Sequence, residues 1–208
     1  MRELSDSKVT GNEVNCEEEK KMGTDLRKKI AIAIGEEALV RLSKKGIIHQ
    51  DKAVYSSSNR PHRTFVFKTP SGQQMLMLEV NIGQFIIVDH EIVLPDGKCY
   101  CMTDAINGKS FGYTATRKYV NCGGEYLHRY IYRLAYGLNV EELDSQEVHH
   151  IFAQFDNSIR HLSALKPDDH YALHSGTDRH TVKENYIRIS DVQDFADLIN
   201  SLYGEDGE

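Results

Sequence analysis

Glu147-Val148-His149-His150-Ile151-Phe152, Asn157-Ser158-Ile159-Arg160-His161-Leu162 and Asp168-Asp169-His170-Tyr171-Ala172-Leu173-His174 decide how this chain is read. Five of its ten histidines fall here, and imidazole both titrates near neutrality and ligates divalent metals. Spacing gives that density a geometry. Val148 to Phe152 reads as a strand, so His149 and His150 leave it on opposite faces. Pro167 followed by two acids is a favourable first helical turn. His170 and His174, at i and i+4, then project from one helix face. One strand histidine and a helical pair can put three nitrogens on one cation and leave a fourth position for water or a phosphate oxygen. His150, on the other strand face, stays off the metal and can take a proton.

Upstream of this stretch the periodicity changes several times. Leu26, Ile30, Ile34, Leu39 and Leu42 recur at roughly helical spacing between a Thr24 cap and Gly46, with Gly35 as a point where two helices could divide. Thr64–Lys68 and Gln74–Val80 flank Thr69-Pro70-Ser71-Gly72 and predict a β-hairpin. Phe85–Val88 and Glu91–Leu94 continue as strands. Pro95-Asp96-Gly97-Lys98 is a turn and the expected border between two units. Beyond it come Lys98–Cys101, a strand over Phe111–Thr116, and a helix over Tyr126–Tyr136 closed by Gly137. Arg129 and Arg133 lie one helical step apart there and offer either a paired basic face or two solvated side chains. Downstream, Tyr186–Ile189 reads as a strand and Ser190 as the cap of a last helix carrying Val192, Phe195, Leu198, Ile199 and Leu202. The expected fold class is α+β, with an N-terminal helix and an antiparallel sheet ahead of the histidine unit. The expected divisions are a disordered leader over 1–23, an α+β unit over 24–95, the histidine unit over 96–180, and a strand and helix over 181–208.

A chain of 208 residues with 40% hydrophobic and 27% charged residues can bury a core without disulfides. The four cysteines are too few and too irregular for a disulfide framework. Cys99, Cys101 and Cys122 are a weak zinc pattern without a fourth ligand. No run is long enough for a transmembrane helix, and residues 1–23 lack an apolar signal core, so no membrane partner and a cytoplasmic location are expected. The net charge of −6 does not advertise a nucleic-acid binder, although much of the acid sits at the chain ends.

The order His149-His150, then His161-Leu162, then His170 and His174, resembles the HNH endonucleases, also called ββα-metal or His-Me finger nucleases. The approach from Gly112 through His128-Arg129-Tyr130-Ile131-Tyr132 and Gly137 is similar to that of phage and homing-type members, so the resemblance spans roughly residues 110 to 175. It implies a ββα-metal nuclease domain within 96–180 and a metal-dependent DNA endonuclease. His149 would be the strand ligand, where many relatives carry aspartate, and His170 and His174 the helix ligands, as in colicin-type members. His150 would be the base that deprotonates water, leaving a 5′ phosphate. The family's central asparagine falls on His161, so either His161 or Asn157 would orient His150. The resemblance further implies one divalent cation (Zn, Mg, Mn or Ni) and DNA as partner; Arg129, Arg133 and Arg160 are the expected DNA contacts, and a homodimer is one expected assembly. The alternative is an inactive, metal-stapled module that binds nucleic acid or protein. Imidazoles suit zinc, nickel or manganese better than magnesium, which prefers oxygen.

Overall fold

The computed structural model describes residues 29–112, 119–175 and 186–204. The expected leader over 1–23, the Thr24 cap with Leu26, most of the strand expected over Phe111–Thr116, and the segments 176–185 and 205–208 lie outside the described residues. The first element corrects the sequence reading. The run Ala31-Ile32-Ala33-Ile34 forms strand β1 (Ala31–Ile34), and only the part after Gly35 is helical, as α1 (Glu36–Lys44). Helical spacing and a continuous apolar run coincide in such a short window. Burial decides between them, because Ala31 and Ile32 are fully enclosed between two neighbouring strands.

After α1 come β2 (Ile48–Gln50), β3 (Val54–Tyr55), β4 (Pro61–His62), β5 (Thr64–Lys68), β6 (Gln74–Asn81) and β7 (Gln84–Asp89). The expected hairpin is β5 and β6, with Thr64 opposite Leu78 and Lys68 opposite Gln74. Strands β1, β2, β5, β6 and β7 join the chain's last strand, Tyr186–Ile189, in one six-stranded sheet. That last strand runs parallel to β1, so the sheet is mixed rather than wholly antiparallel. Six successive residues of β6, Met75 to Val80, are buried, as a strand covered on both faces requires.

Strands β8 (Glu91–Val93) and β9 (Cys99–Cys101) pair across Pro95–Lys98. The turn expected as a border therefore closes a hairpin, and one continuous core runs from Ile32, Leu76 and Ile87 to Met102, Leu127, Ile131 and Phe155. Next come α2 (Met102–Ile106), the small sheet of β10 (Phe111–Gly112), β11 (Asn121–Cys122) and β12 (Glu125–Tyr126), and α3 (Leu127–Tyr136). Helix α3 ends as expected at Gly137, whose φ of 66° and ψ of 26° are left-handed. Helix α4 (Val140–Asp144) follows behind a capping box of Asn139 and Glu142. Strand β13 (Glu147–His150) pairs antiparallel with β14 (Leu162–Leu165), and α5 (Pro167–Ser175) follows directly. The chain returns to the main sheet with β15 (Tyr186–Ile189) and α6 (Val192–Tyr203), capped by Asp191 rather than Ser190. Among the described residues no helix is long and apolar enough to cross a membrane.

Candidate metal centre

The hairpin β13–β14 and helix α5 bring His149, His170 and His174 together. One ring nitrogen from each lies within 4.8 Å of the others. The rings of His170 and His174 are 4.6 Å apart between centroids, and His149 is 5.2 and 5.0 Å from them. His149 stands opposite Ser163 in the register. Alternation along β13 directs it, with Glu147, to one face, while Val148 and His150 are buried on the other. Among the described residues this is the only group of three or more histidine, cysteine or acidic side chains placed to hold a metal ion.

The donor chemistry fits a cation. The Glu147 carboxylate accepts a hydrogen bond from His170 Nδ1. A metal-ligating His170 with that proton on Nδ1 would present its lone pair on Nε2. That atom is 3.2 Å from Nε2 of His174, close to the ~3.3 Å edge of a tetrahedron whose metal–nitrogen bonds are ~2.0–2.1 Å. A carboxylate behind a ligating imidazole fixes its tautomer and raises its basicity. Helix α5 itself buries no residue, and a helix of nine residues is not stable through its own hydrogen bonds. Its attachment to β13 therefore leans on His170 and His174.

On the opposite face of β13, His150 is buried and its Nε2 lies 3.2 Å from Asn157 Oδ1. Asn157 Nδ2 donates to the Phe155 carbonyl, which turns Oδ1 toward the ring. The Nε2–H of His150 is thus the donor, and its lone pair is on Nδ1. Burial pulls the His150 pKa down to about 4, with the Asn157 contact opposing, so the ring is neutral at pH 7. Its neighbours are Tyr119, stacked at 5.7 Å and 8°, and His128 at 4.6 Å. His128, from the first turn of α3, is also held well below the usual histidine range by burial, with the charges of His150, Arg129 and His170 adding to it.

The remaining expected site residues stand elsewhere. His161 is turned to Asp156: its Nδ1 donates to Asp156 Oδ2 at 2.6 Å and its ring packs between Phe152 and Tyr203. Of the two candidates to orient His150, the contact belongs to Asn157. Arg129 donates to the carbonyls of Leu143 and Gln146, and Arg133 pairs with Glu125 and reaches the Leu138 carbonyl. Both are engaged in bracing the α3–α4 connection. Arg160 is exposed, with its guanidinium over the Tyr203 ring. Cys99, Cys101 and Cys122 form no metal-holding group among the described residues. Burial pushes the Cys122 thiol up to about 12, which disfavours the thiolate a metal needs. Sequence reasoning missed Glu147, His128 and Tyr119. Glu147 was legible, since it lies two residues before His149 on the same strand face; His128 and Tyr119 arrive from other elements and leave no local signal.

No protein-family model matches the sequence, and neither a curated protein nor a solved structure matches the chain.

Proposed function

We propose that this chain is a metal-dependent endonuclease that hydrolyses DNA phosphodiester bonds, organised on the ββα-metal plan. The observation that supports it is the convergence of His149, His170 and His174 from a hairpin and its following helix, with a buried neutral histidine on the other face of the same strand. The three imidazoles would hold one divalent cation, which supplies charge compensation at the scissile phosphate and the leaving 3′ oxygen. His150 takes a proton from water through Nδ1 while Asn157 keeps its Nε2–H. Neutral imidazole is the form a general base needs, while the burial that keeps it neutral also lowers its proton affinity. Glu147 holds His170 in the tautomer that presents Nε2. On this reading the exposed Arg160, in the 3₁₀ turn before β14, and Lys166, just after it, would meet phosphates.

Plasmid DNA incubated with the protein and Mg²⁺, Mn²⁺, Ni²⁺ or Zn²⁺ tests the reading, alongside His150→Ala and His170→Ala. Nicking by the wild type, reduced at least ~100-fold in both variants, is the expected result for loss of an acid–base group or a ligand. A wild type as inert as the variants under every metal would falsify it. A second reading is supported by the absence of buried residues on α5: the metal staples that helix, and the chain is a binding module. On that reading chelation lowers Tm while DNA stays intact with every metal.

A further inference from the structure

The return between β13 and β14 carries little regular structure, only a 3₁₀ turn at Ile159–His161, yet Ala153, Phe155, Asp156, Asn157 and Ser158 are all buried. Its backbone is taken up by the main sheet. Strand β1 pairs with β7 only at Phe85 and Gln84. Beyond that point the return replaces it: Ile87 donates to the Phe155 carbonyl and Asn157 donates to the Ile87 carbonyl, each at 2.8 Å. Phe155 also donates to the Lys29 carbonyl at 3.2 Å.

Side chains then lock the residues around Asn157. Asp156 Oδ1 accepts from the Ser158 backbone at 3.0 Å and from its hydroxyl at 2.7 Å. Asp156 Oδ2 accepts from His161 Nδ1 at 2.6 Å. Asp89, at the end of β7, accepts from the Ile159 backbone at 2.7 Å and from Gln73 Nε2 at 3.1 Å. Burying two carboxylates costs several kcal/mol each before their partners are counted. The loop's backbone contacts to β7 would already dock it. What the buried polar network adds is a single arrangement of residues 156–158, because every carboxylate oxygen of Asp156 and Asp89 has a donor and a network paired in this way tolerates few alternatives. Asn157 sits in the middle of that span, and its carbonyl oxygen faces His150.

We infer that Asp156, braced by His161 and Ser158, is a positioning residue: it sets Asn157 against His150 and so holds the His150 ring in its Nε2–H tautomer. The main sheet thereby orients, through β7, the histidine on the other face of the strand that carries His149. The catalytic consequence rests on the nuclease reading above; the positioning itself does not.

The tautomer of His150 reports the effect directly. Long-range ¹H–¹⁵N spectra of the full chain, labelled at histidine and recorded with and without Zn²⁺, should show His150 as the single Nε2–H form. Asn157→Ala should give a mixture of both tautomers. Asp156→Asn should shift His150 toward that mixture with an unchanged far-UV spectrum. Ser158→Ala, which removes only the hydroxyl contacts, should shift it less and decides the matter if Asp156→Asn does not fold. Co²⁺ uptake by the trio should stay within ~10-fold of wild type, below the full range expected when a group behind a ligand is lost. If the chain nicks DNA, Asp156→Asn should lower kcat at least ~10-fold with KM unchanged. A folded Asp156→Asn protein in which His150 keeps one Nε2–H tautomer overturns the inference, as does a Ser158→Ala protein with that result where Asp156→Asn does not fold, or an Asn157→Ala protein with that result. An inactive wild type whose tautomer responds as expected removes the nuclease reading and leaves the positioning role intact.

Discussion

Replacing Asp89 with asparagine should stabilise the protein at neutral pH and leave it unchanged in acid. Asp89 is 2% exposed. Its carboxyl is pushed up from an ordinary 3.8 to about 6, chiefly by burial, with the Ile159 N–H opposing and the Asp156 carboxylate adding to the rise. Between those two values the folded chain holds a proton that the unfolded chain has released, so stability falls as pH rises from 3.8 to about 6. A rise of that size corresponds to a penalty of about 3 kcal/mol at pH 7 and above. Asparagine carries no charge to desolvate. Its Oδ1 can still accept from Ile159, and the Gln73 amide can rotate to accept from the new Nδ2. The variant should therefore match wild type near pH 4 and gain on it until about pH 7, where a ~3 kcal/mol difference is a rise of roughly 6–12 °C in Tm for a chain of this size. Urea unfolding of both proteins, metal-free, across that range is the assay. His128 and His150 tilt both curves the opposite way: their lowered pKa values make stability fall as pH falls, and that contribution cancels in the difference. A difference that stays flat with pH, or a variant less stable than wild type at pH 7, would refute the reasoning.

Glu147→Gln should weaken metal affinity by ~10–100-fold, since the carboxylate no longer fixes the His170 tautomer; calorimetric titration with Zn²⁺ checks it, and unchanged affinity would mean that Glu147 is a bystander. Chelation should expose the amides of α5 to hydrogen exchange ahead of those of β6, because α5 buries no side chain while β6 is buried over six successive residues. Equal protection of α5 with and without metal would show that the helix is held by something else. Gly137→Ala should cost about 1–3 kcal/mol: φ there is +66° and a Cβ would stand 2.8 Å from Pro95 Cγ. Chemical denaturation measures it, and a neutral outcome would show that the turn at Pro95 yields.

The sequence by itself determined the trio of histidines that could hold a metal and the local frame that presents it. Strand alternation separates His149 from His150, and the i, i+4 spacing after Pro167 puts His170 and His174 on one helix face; both are short-range consequences of backbone geometry. The hairpin of β5 and β6, the helix ending at Gly137 and the strand at Tyr186–Ile189 were legible for the same reason. Tertiary structure decided the rest. Ala31 to Ile34 fits a helix or a buried strand equally well by pattern, and only its place between β7 and β15 makes it a strand. Arg129 and Arg133 satisfy the pattern of a basic face, but the carbonyls within reach of their guanidinium groups come from the following turn and helix. The residue that orients His150 could not be chosen from the spacing of Asn157 and His161. The choice depends on which side chain the sheet leaves facing the ring, and that follows from the pairing of Asn157 and Phe155 with Ile87, seventy and sixty-eight positions away.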